Sequence, residues 1–143
     1  MLNHELAWLI PALLSALFAA LTAIFSKLGV AEVNSNLATA IRTVIILAIA
    51  WGIVIREGNL QQALHIPQKA LVFLVGSGIA TGLSWIFYFR ALQLGTTGSV
   101  VAIDKSSLVW VILFAHFFLG EPLTLKIFLG VLLIIVGTLV VVL

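Results

Sequence analysis

Residues 123–143 read LTLKIFLGVLLIIVGTLVVVL, a run in which Lys126 is the one charged side chain. A helix needs about 20 mostly apolar residues to cross the hydrocarbon core of a bilayer, so this run is long enough to span it. Four further runs along the chain share its length and apolar character. The 143 residues are 63% hydrophobic and 8% charged, with a mean hydropathy of +1.29. We therefore predict a membrane protein rather than a soluble domain.

Uninterrupted apolar length predicts five transmembrane helices. Their expected bounds are about 7–28, 36–56, 70–91, 97–119 and 123–143. These spans lack strict alternation of polar and apolar residues and are about twice as long as a barrel strand, so the fold is predicted to be all-α. The longest polar stretch is EGNLQQALHIPQK (57–69), which is expected to be an exposed loop. The sequence predicts a single transmembrane domain over 1–143.

The composition argues against several kinds of chemistry. Cysteine is absent, which removes disulfides, thiolate catalysis and cysteine metal sites. The three histidines fall in separate stretches without metal-ligand spacing, so neither a metal nor a cofactor is expected. The seven basic and five acidic residues are scattered, which gives no basic run for nucleic acid. An intramembrane enzyme would need a nucleophile with a base, or paired carboxylates, whereas Asp104 is the one acid deep within a predicted span. We predict no enzyme.

The distribution of cations leaves the membrane orientation open. Five crossings put the two chain ends on opposite sides. The N-terminal side receives three basic residues, Arg56, Lys69 and Lys126. The other side receives two near its surface and two deeper in the spans: Lys27, Arg90, Arg42 and Lys105. With three basic residues on one side and two to four on the other, neither side has the excess from which the positive-inside rule predicts orientation. Either other features set a single orientation, or the chain inserts both ways, which would permit an antiparallel homodimer.

Two opposite charges lie inside predicted spans. Arg42 in the second span and Asp104 in the fourth lie roughly 9–11 Å below the same membrane face at 1.5 Å per residue. An unpaired charge there costs at least ~2.5–3.5 kcal/mol, so both are expected to pair, turn inward or line water. One interpretation is a structural Arg42–Asp104 pair, with Lys105 and Arg90 reaching the headgroups. In the other, the surplus cations attract a solute carboxylate or phosphate, while Asp104 binds an amine or exchanges a proton.

Polar residues of the third span recur on one helical face. Ser77, Thr81, Ser84 and Tyr88 are spaced four, three and four residues apart. Trp85 borders this face, and Trp110 lies deep in the fourth span. The pattern is typical of a solute cavity, although small and hydroxylated residues also let helices pack closely. The candidate solute pathway consists of Arg42, Asp104, Lys105, Arg90, Ser77, Thr81, Ser84, Trp85, Tyr88 and Trp110.

Several stretches carry a family resemblance. They are ALLSALFAALTAIFSKLGV (12–30), LATAIRTVIILA (37–48), YFRALQLGTTGSVVAIDKSSLVWVILFAHFFLGEPLT (88–124) and LGVLLIIVGTLVVVL (129–143). The most specific parts are the turns Ala91-Leu92-x-x-Gly95 and Leu119-Gly120-Glu121-Pro122. Together they resemble one EamA domain of the drug/metabolite transporter superfamily, over essentially the whole chain. Ile103-Asp104-Lys105 is further similar to the small five-helix bacterial and archaeal members.

The resemblance implies a multi-pass protein of an inner or plasma membrane that moves small metabolites or drugs. Typical members have ten helices in two inverted five-helix halves, and the predicted spans correspond to one half. The resemblance therefore implies a secondary, alternating-access transporter that works as a homodimer, and it favours an antiparallel pair. Its partners would be the lipid bilayer and a small-molecule solute. A non-transporting membrane scaffold or accessory subunit is the alternative.

Overall fold

The computed structural model describes residues 7–143, so the first six residues of the predicted 1–143 domain lie outside the described part. The described residues form helices α1 (Leu9–Gly29), α2 (Ser35–Arg56), α3 (Leu60–Ala63), α4 (Gln68–Leu94), α5 (Thr97–Lys105) and α6 (Ser107–Phe114), a π-helical turn (Ala115–Leu119) and α7 (Leu125–Val142). Five segments are long and apolar enough to cross a membrane: Leu9–Gly29, Ser35–Arg56, Gln68–Leu94, Thr97–Leu119 and Leu125–Val142. The prediction of an all-α fold with five candidate spans is confirmed. The largest difference in bounds is in the third span, which ends at Leu94 rather than near residue 91.

Three of the helices begin at a polar side chain that caps their first turn. The side chain of Asn34 accepts hydrogen bonds from the amides of Asn36 (2.9 Å) and Leu37 (3.4 Å) at the start of α2. Thr96 Oγ1 accepts the Ser99 amide at 3.3 Å before α5. Thr124 Oγ1 accepts the Ile127 amide at 3.3 Å before α7. Each cap satisfies an amide that has no partner inside its helix, and so fixes where that span starts.

A tight turn joins the fourth and fifth spans. Gly120 has φ 71° and ψ 20°, a left-handed conformation in which a side chain would be strained. His116 Nδ1–H donates to the Glu121 carbonyl at 2.8 Å. Because a carbonyl oxygen can only accept, this bond places a proton on Nδ1 of His116. The glycine and the histidine thus close the turn together.

The described residues divide into two compact units. The terminal unit comprises 7–24 together with Leu94–Leu143, and the central unit comprises Phe25–Gln93. That the whole chain forms one transmembrane domain stays a prediction.

In the central unit, side chains join the C-terminal ends of α1 and α4. Lys27 Nζ donates to the Leu92 carbonyl at 2.5 Å. Gln93 Nε2 donates to the carbonyls of Val30 at 3.1 Å and Val33 at 2.9 Å. The last carbonyls of a helix lack partners within the helix, and Lys27 satisfies one of them in α4, while Gln93 binds carbonyls of the turn that follows α1. The packing here is close, since Leu92 is 0% exposed and Val30 is 2% exposed.

Replacing Gln93 with Leu is expected to lower the free energy of unfolding by about 1 kcal/mol. The change keeps the approximate size of the side chain and removes both donated hydrogen bonds, which average roughly 0.6 kcal/mol each between membrane helices. Unfolding in mixed detergent micelles measures the difference. Gln61→Leu, at an exposed position in α3, is the matched control and should leave stability unchanged. Equal stability of the two variants would contradict a stabilising role for Gln93.

Candidate functional site

The guanidinium of Arg42 packs on an aromatic ring inside the central unit. Its Cζ atom lies 3.3 Å from the centroid of the Trp85 ring and 5.8 Å from that of Phe89. Arg42 comes from α2, while both aromatic residues come from α4. Arg42 and Trp85 are half-buried, and Phe89 is 2% exposed. A cation over an indole face is attracted by the ring quadrupole, so this contact holds the charge against α4.

Trp85, Tyr88 and Phe89 form what we call the aromatic cluster. The ring centroids of Trp85 and Tyr88 are 5.5 Å apart in an edge-on arrangement, and those of Trp85 and Phe89 are 5.7 Å apart. Trp85 and Tyr88 were predicted from the sequence as site residues, whereas Phe89 was missed. Its signal was the spacing of four residues from Trp85, which places both rings on one helical face.

The hydroxyl groups near Arg42 are engaged with the backbone of their own helix. Thr39 Oγ1 donates to the Ser35 carbonyl at 2.9 Å, and Thr43 Oγ1 donates to the Thr39 carbonyl at 2.8 Å. Within residues 25–93, no carboxylate forms an ion pair with Arg42. Arg42 is therefore the charged group that this stretch of α2 offers to a ligand.

The predicted polar face of the third span lies along α4. Ser77, Thr81 and Ser84 are exposed, and Thr81 Oγ1 donates to the Ser77 carbonyl at 2.8 Å. Tyr88 is half-buried on the same helix. Their helical spacing is present as expected, and their role in lining a pathway stays a prediction.

Two other predicted residues lie at exposed positions. Arg90, near the end of α4, donates from Nη1 to Gln93 Oε1 at 3.4 Å. Trp110 in α6 is 60% exposed, and its ring centroid is 6.2 Å from that of Phe114. Contact of either residue with a solute stays a prediction.

Asp104 pairs with its neighbour in the chain. Lys105 Nζ lies 3.5 Å from Asp104 Oδ2, with side-chain exposures of 64% for Lys105 and 39% for Asp104. An exposed pair of this kind contributes at most about 1 kcal/mol to stability. Arg42 belongs to the other unit, so its predicted pairing with Asp104 stays a prediction.

The fourth span is interrupted directly after this ion pair. The Ser106 amide donates to the Ile103 carbonyl at 3.0 Å, three residues back instead of four. Ser106 Oγ donates to the same oxygen at 2.6 Å. The preceding carbonyl, of Ala102, accepts the hydroxyl of Thr138 in α7 at 3.2 Å. The Ser106 hydroxyl thus takes a backbone carbonyl of its own helix as acceptor, which disturbs the regular helical hydrogen bonding. The Ala102 carbonyl loses its helical partner and is satisfied by Thr138 of α7 instead.

The interruption was not predicted from the sequence. The signal that could have indicated it is the pair Ser106-Ser107 directly after two charged residues. Within residues 7–143, no group of three His, Cys, Asp or Glu side chains is placed to hold a metal ion.

The comparisons with known proteins agree with the observed fold. The model of the EamA-like transporter family matches residues 6–143. A protein of Sinorhizobium sp described as "Uncharacterized transporter in cobO 3'region" is 51% identical over 133 residues, which cover 93% of this chain and 94% of that protein. No solved structure matches the chain. The resemblance identified in the sequence is confirmed, and the family is one of transporters rather than enzymes. With five membrane-length helices and a family match over nearly its full length, the chain belongs to the EamA-like transporter family.

Proposed function

We propose that this chain is a five-helix half of a secondary transporter that moves a small metabolite or drug by alternating access. The observation that carries the proposal is the interruption of the fourth span at Ser106, next to Asp104 and Lys105. Ser106 lies nine residues after Thr97, which is roughly 14 Å along a helix and close to the middle of a ~30 Å hydrocarbon core. Transporters commonly place their solute sites near the midplane, at discontinuous helices, and the irregular turn at Ser106 would lie at that depth.

The polar groups within the spans would form the solute pathway. Asp104 and Arg42 would change their charge partners during transport, while Lys105 and Arg90 attract the solute. Trp85, Tyr88 and Trp110 would form its aromatic walls. Ser77, Thr81 and Ser84 would add hydroxyl groups along α4. The support for this set is that charged side chains at such depth are costly in lipid and are usually kept for a functional path.

Two copies of the chain would make the complete transporter. Alternating access commonly uses two inverted repeats that rock around a shared site. Five spans with nearly balanced cations on the two sides suit a chain that inserts both ways and pairs antiparallel with a second copy. The transporter would lie in the cell membrane. In a cell with two membranes, this is the inner membrane.

Reconstitution in liposomes tests the proposed function. Purified protein should take up at least one solute from a panel of amino acids, organic acids, nucleosides and cationic drugs faster than protein-free liposomes do. The same solute should exchange with unlabelled solute loaded inside, since an alternating site serves both faces. Uptake equal to the protein-free control across the whole panel would contradict transport and favour a scaffold or accessory subunit.

A further inference from the structure

The stacking of Arg42 on Trp85 leaves the N–H groups at the edge of its guanidinium available to a ligand. With Cζ 3.3 Å from the Trp85 centroid, one face of the guanidinium is covered by the indole. Its N–H groups point outward in the guanidinium plane, where a planar acceptor with two oxygens can take two parallel hydrogen bonds. The cation–π contact and such an acceptor do not compete, because one uses the face of the group and the other uses its edge.

The surroundings of Arg42 select for the rest of the ligand. The threonine hydroxyls at 39 and 43 already donate to backbone carbonyls. Beside the guanidinium lie the rings of Trp85 and Phe89, of which Trp85 is half-buried and so partly accessible to a ligand. This stretch thus places the charged edge of the Arg42 guanidinium next to aromatic rings. Such a combination suits a ligand in which an oxyanion is attached to an apolar group.

The charge of the site favours a single negative charge on the ligand. Arg42 forms no ion pair with a carboxylate of the central unit, so one monoanion would neutralise it. A dianion such as free phosphate would leave a net charge among aromatic rings, where desolvation is costly. A carboxylate fits both the charge and the planar edge of the guanidinium.

We propose that Arg42, held on Trp85, is the binding site for the carboxylate of a small organic acid whose apolar part packs on the aromatic cluster. The ligand is the transported solute only if the proposed function holds, whereas the binding site itself stands on the contacts of the central unit. Benzoate is the simplest probe, since it joins a carboxylate to an aromatic ring.

Binding of radiolabelled benzoate to purified protein in detergent measures the site directly. Arg42→Gln should weaken binding about 30-fold or more, because removing one member of a desolvated charge pair leaves the other without a counterion. Arg42→Lys should weaken it about tenfold, since an ammonium keeps the charge and loses both the planar edge and the stacking. Benzyl alcohol, which has the ring without the carboxylate, should not displace benzoate at comparable concentrations.

Arg56→Gln is the matched control, because it makes the same change at the exposed end of the same helix. It should keep benzoate affinity within about twofold of the unsubstituted protein. Equal binding by the Arg42→Gln and Arg56→Gln variants would overturn the site. If the glutamine variant at 42 does not fold, the lysine variant decides, and unchanged benzoate affinity in it would likewise overturn the bidentate geometry.

A lipid phosphodiester is also a monoanionic oxyanion, and competition distinguishes it from a solute. Unlabelled benzoate should displace the bound label at lower concentration than short-chain phosphatidylglycerol does. Displacement by the lipid at the lower concentration would assign Arg42 to a headgroup and overturn the solute site.

These experiments distinguish failure of the proposed transport function from failure of the proposed binding site. Benzoate binding that requires Arg42, without uptake of any panel solute by liposomes, would keep the site and contradict the proposed transporter. Uptake of panel solutes together with benzoate binding that is insensitive to Arg42 would keep the transporter and overturn the site.

Discussion

Replacing Asp104 with Asn is expected to reduce ion-coupled solute uptake by reconstituted vesicles to the protein-free background, a loss of about tenfold or more. Asparagine has nearly the same shape but carries no charge and cannot exchange a proton. Acidic groups within spans serve as proton relays and ion sites, so removal of this one should uncouple uptake from its driving gradient. The measurement is the initial uptake rate of a transported solute under an imposed pH gradient.

The fold should tolerate this substitution, which makes the result interpretable. The side chain of Asp104 is 39% exposed and its carboxylate contacts Lys105, the next residue, so little packing depends on the charge. Gel filtration and circular dichroism should match those of the unsubstituted protein. Glu32→Gln, an exposed change of the same kind between α1 and α2, should leave uptake intact. Undiminished uptake by the Asp104→Asn protein would remove Asp104 from the mechanism.

Two variants can be designed whose changed charges favour opposite membrane orientations. Each variant alone should lose solute uptake, and uptake should return when the two are produced in the same cells. Gln61→Lys with Gln62→Lys raises the cations on the N-terminal side from three to five, and Lys69→Gln with Lys126→Gln lowers them from three to one. The positive-inside rule then drives each variant into a single and opposite orientation. An antiparallel pair cannot form from one orientation alone, so we expect uptake near background for each and most of the normal rate for the mixture.

Reporters fused to the termini check the orientation directly. Reporters active on only one side of the membrane should give signals from both sides for the unsubstituted protein and from one side for each biased variant. Lys69→Arg with Lys126→Arg keeps the charge count and should retain both signals and full uptake. A one-sided signal from the unsubstituted protein, or full uptake by a single biased variant, would indicate a parallel dimer or a separate partner.

The five spans could be predicted because crossing a bilayer demands apolar length, and length is visible in the sequence. The fifth span shows this, since residues 127–142 contain no charged side chain and end as α7 at Val142. The extension of α4 to Leu94 was not predicted. Its last turn is held by tertiary contacts, in which Gln93 reaches carbonyls 60 and 63 residues away in the sequence. Contacts of that kind are not encoded in local hydropathy.

The candidate site was only partly predictable for a similar reason. The depth of Arg42 predicted that it would pair, turn inward or line water, and Asp104 was one proposed partner, a pairing that stays a prediction. The structure brings Trp85 against the guanidinium, because the relative rotation of α2 and α4 decides which side chains meet. The interruption at Ser106 was missed because serine also occurs in unbroken helix, as Ser77 and Ser84 do in α4.

The odd number of candidate spans within residues 7–143 has a consequence for gene duplication. When a chain crosses five times, its last span ends on the side opposite to that where its first span begins. A second copy joined directly after Val142 would therefore start from the opposite side and enter the bilayer upside down relative to the first. An even-numbered unit would need an extra crossing in the linker to achieve this. A single tandem fusion of two copies of this five-span chain thus yields two inverted halves in one polypeptide.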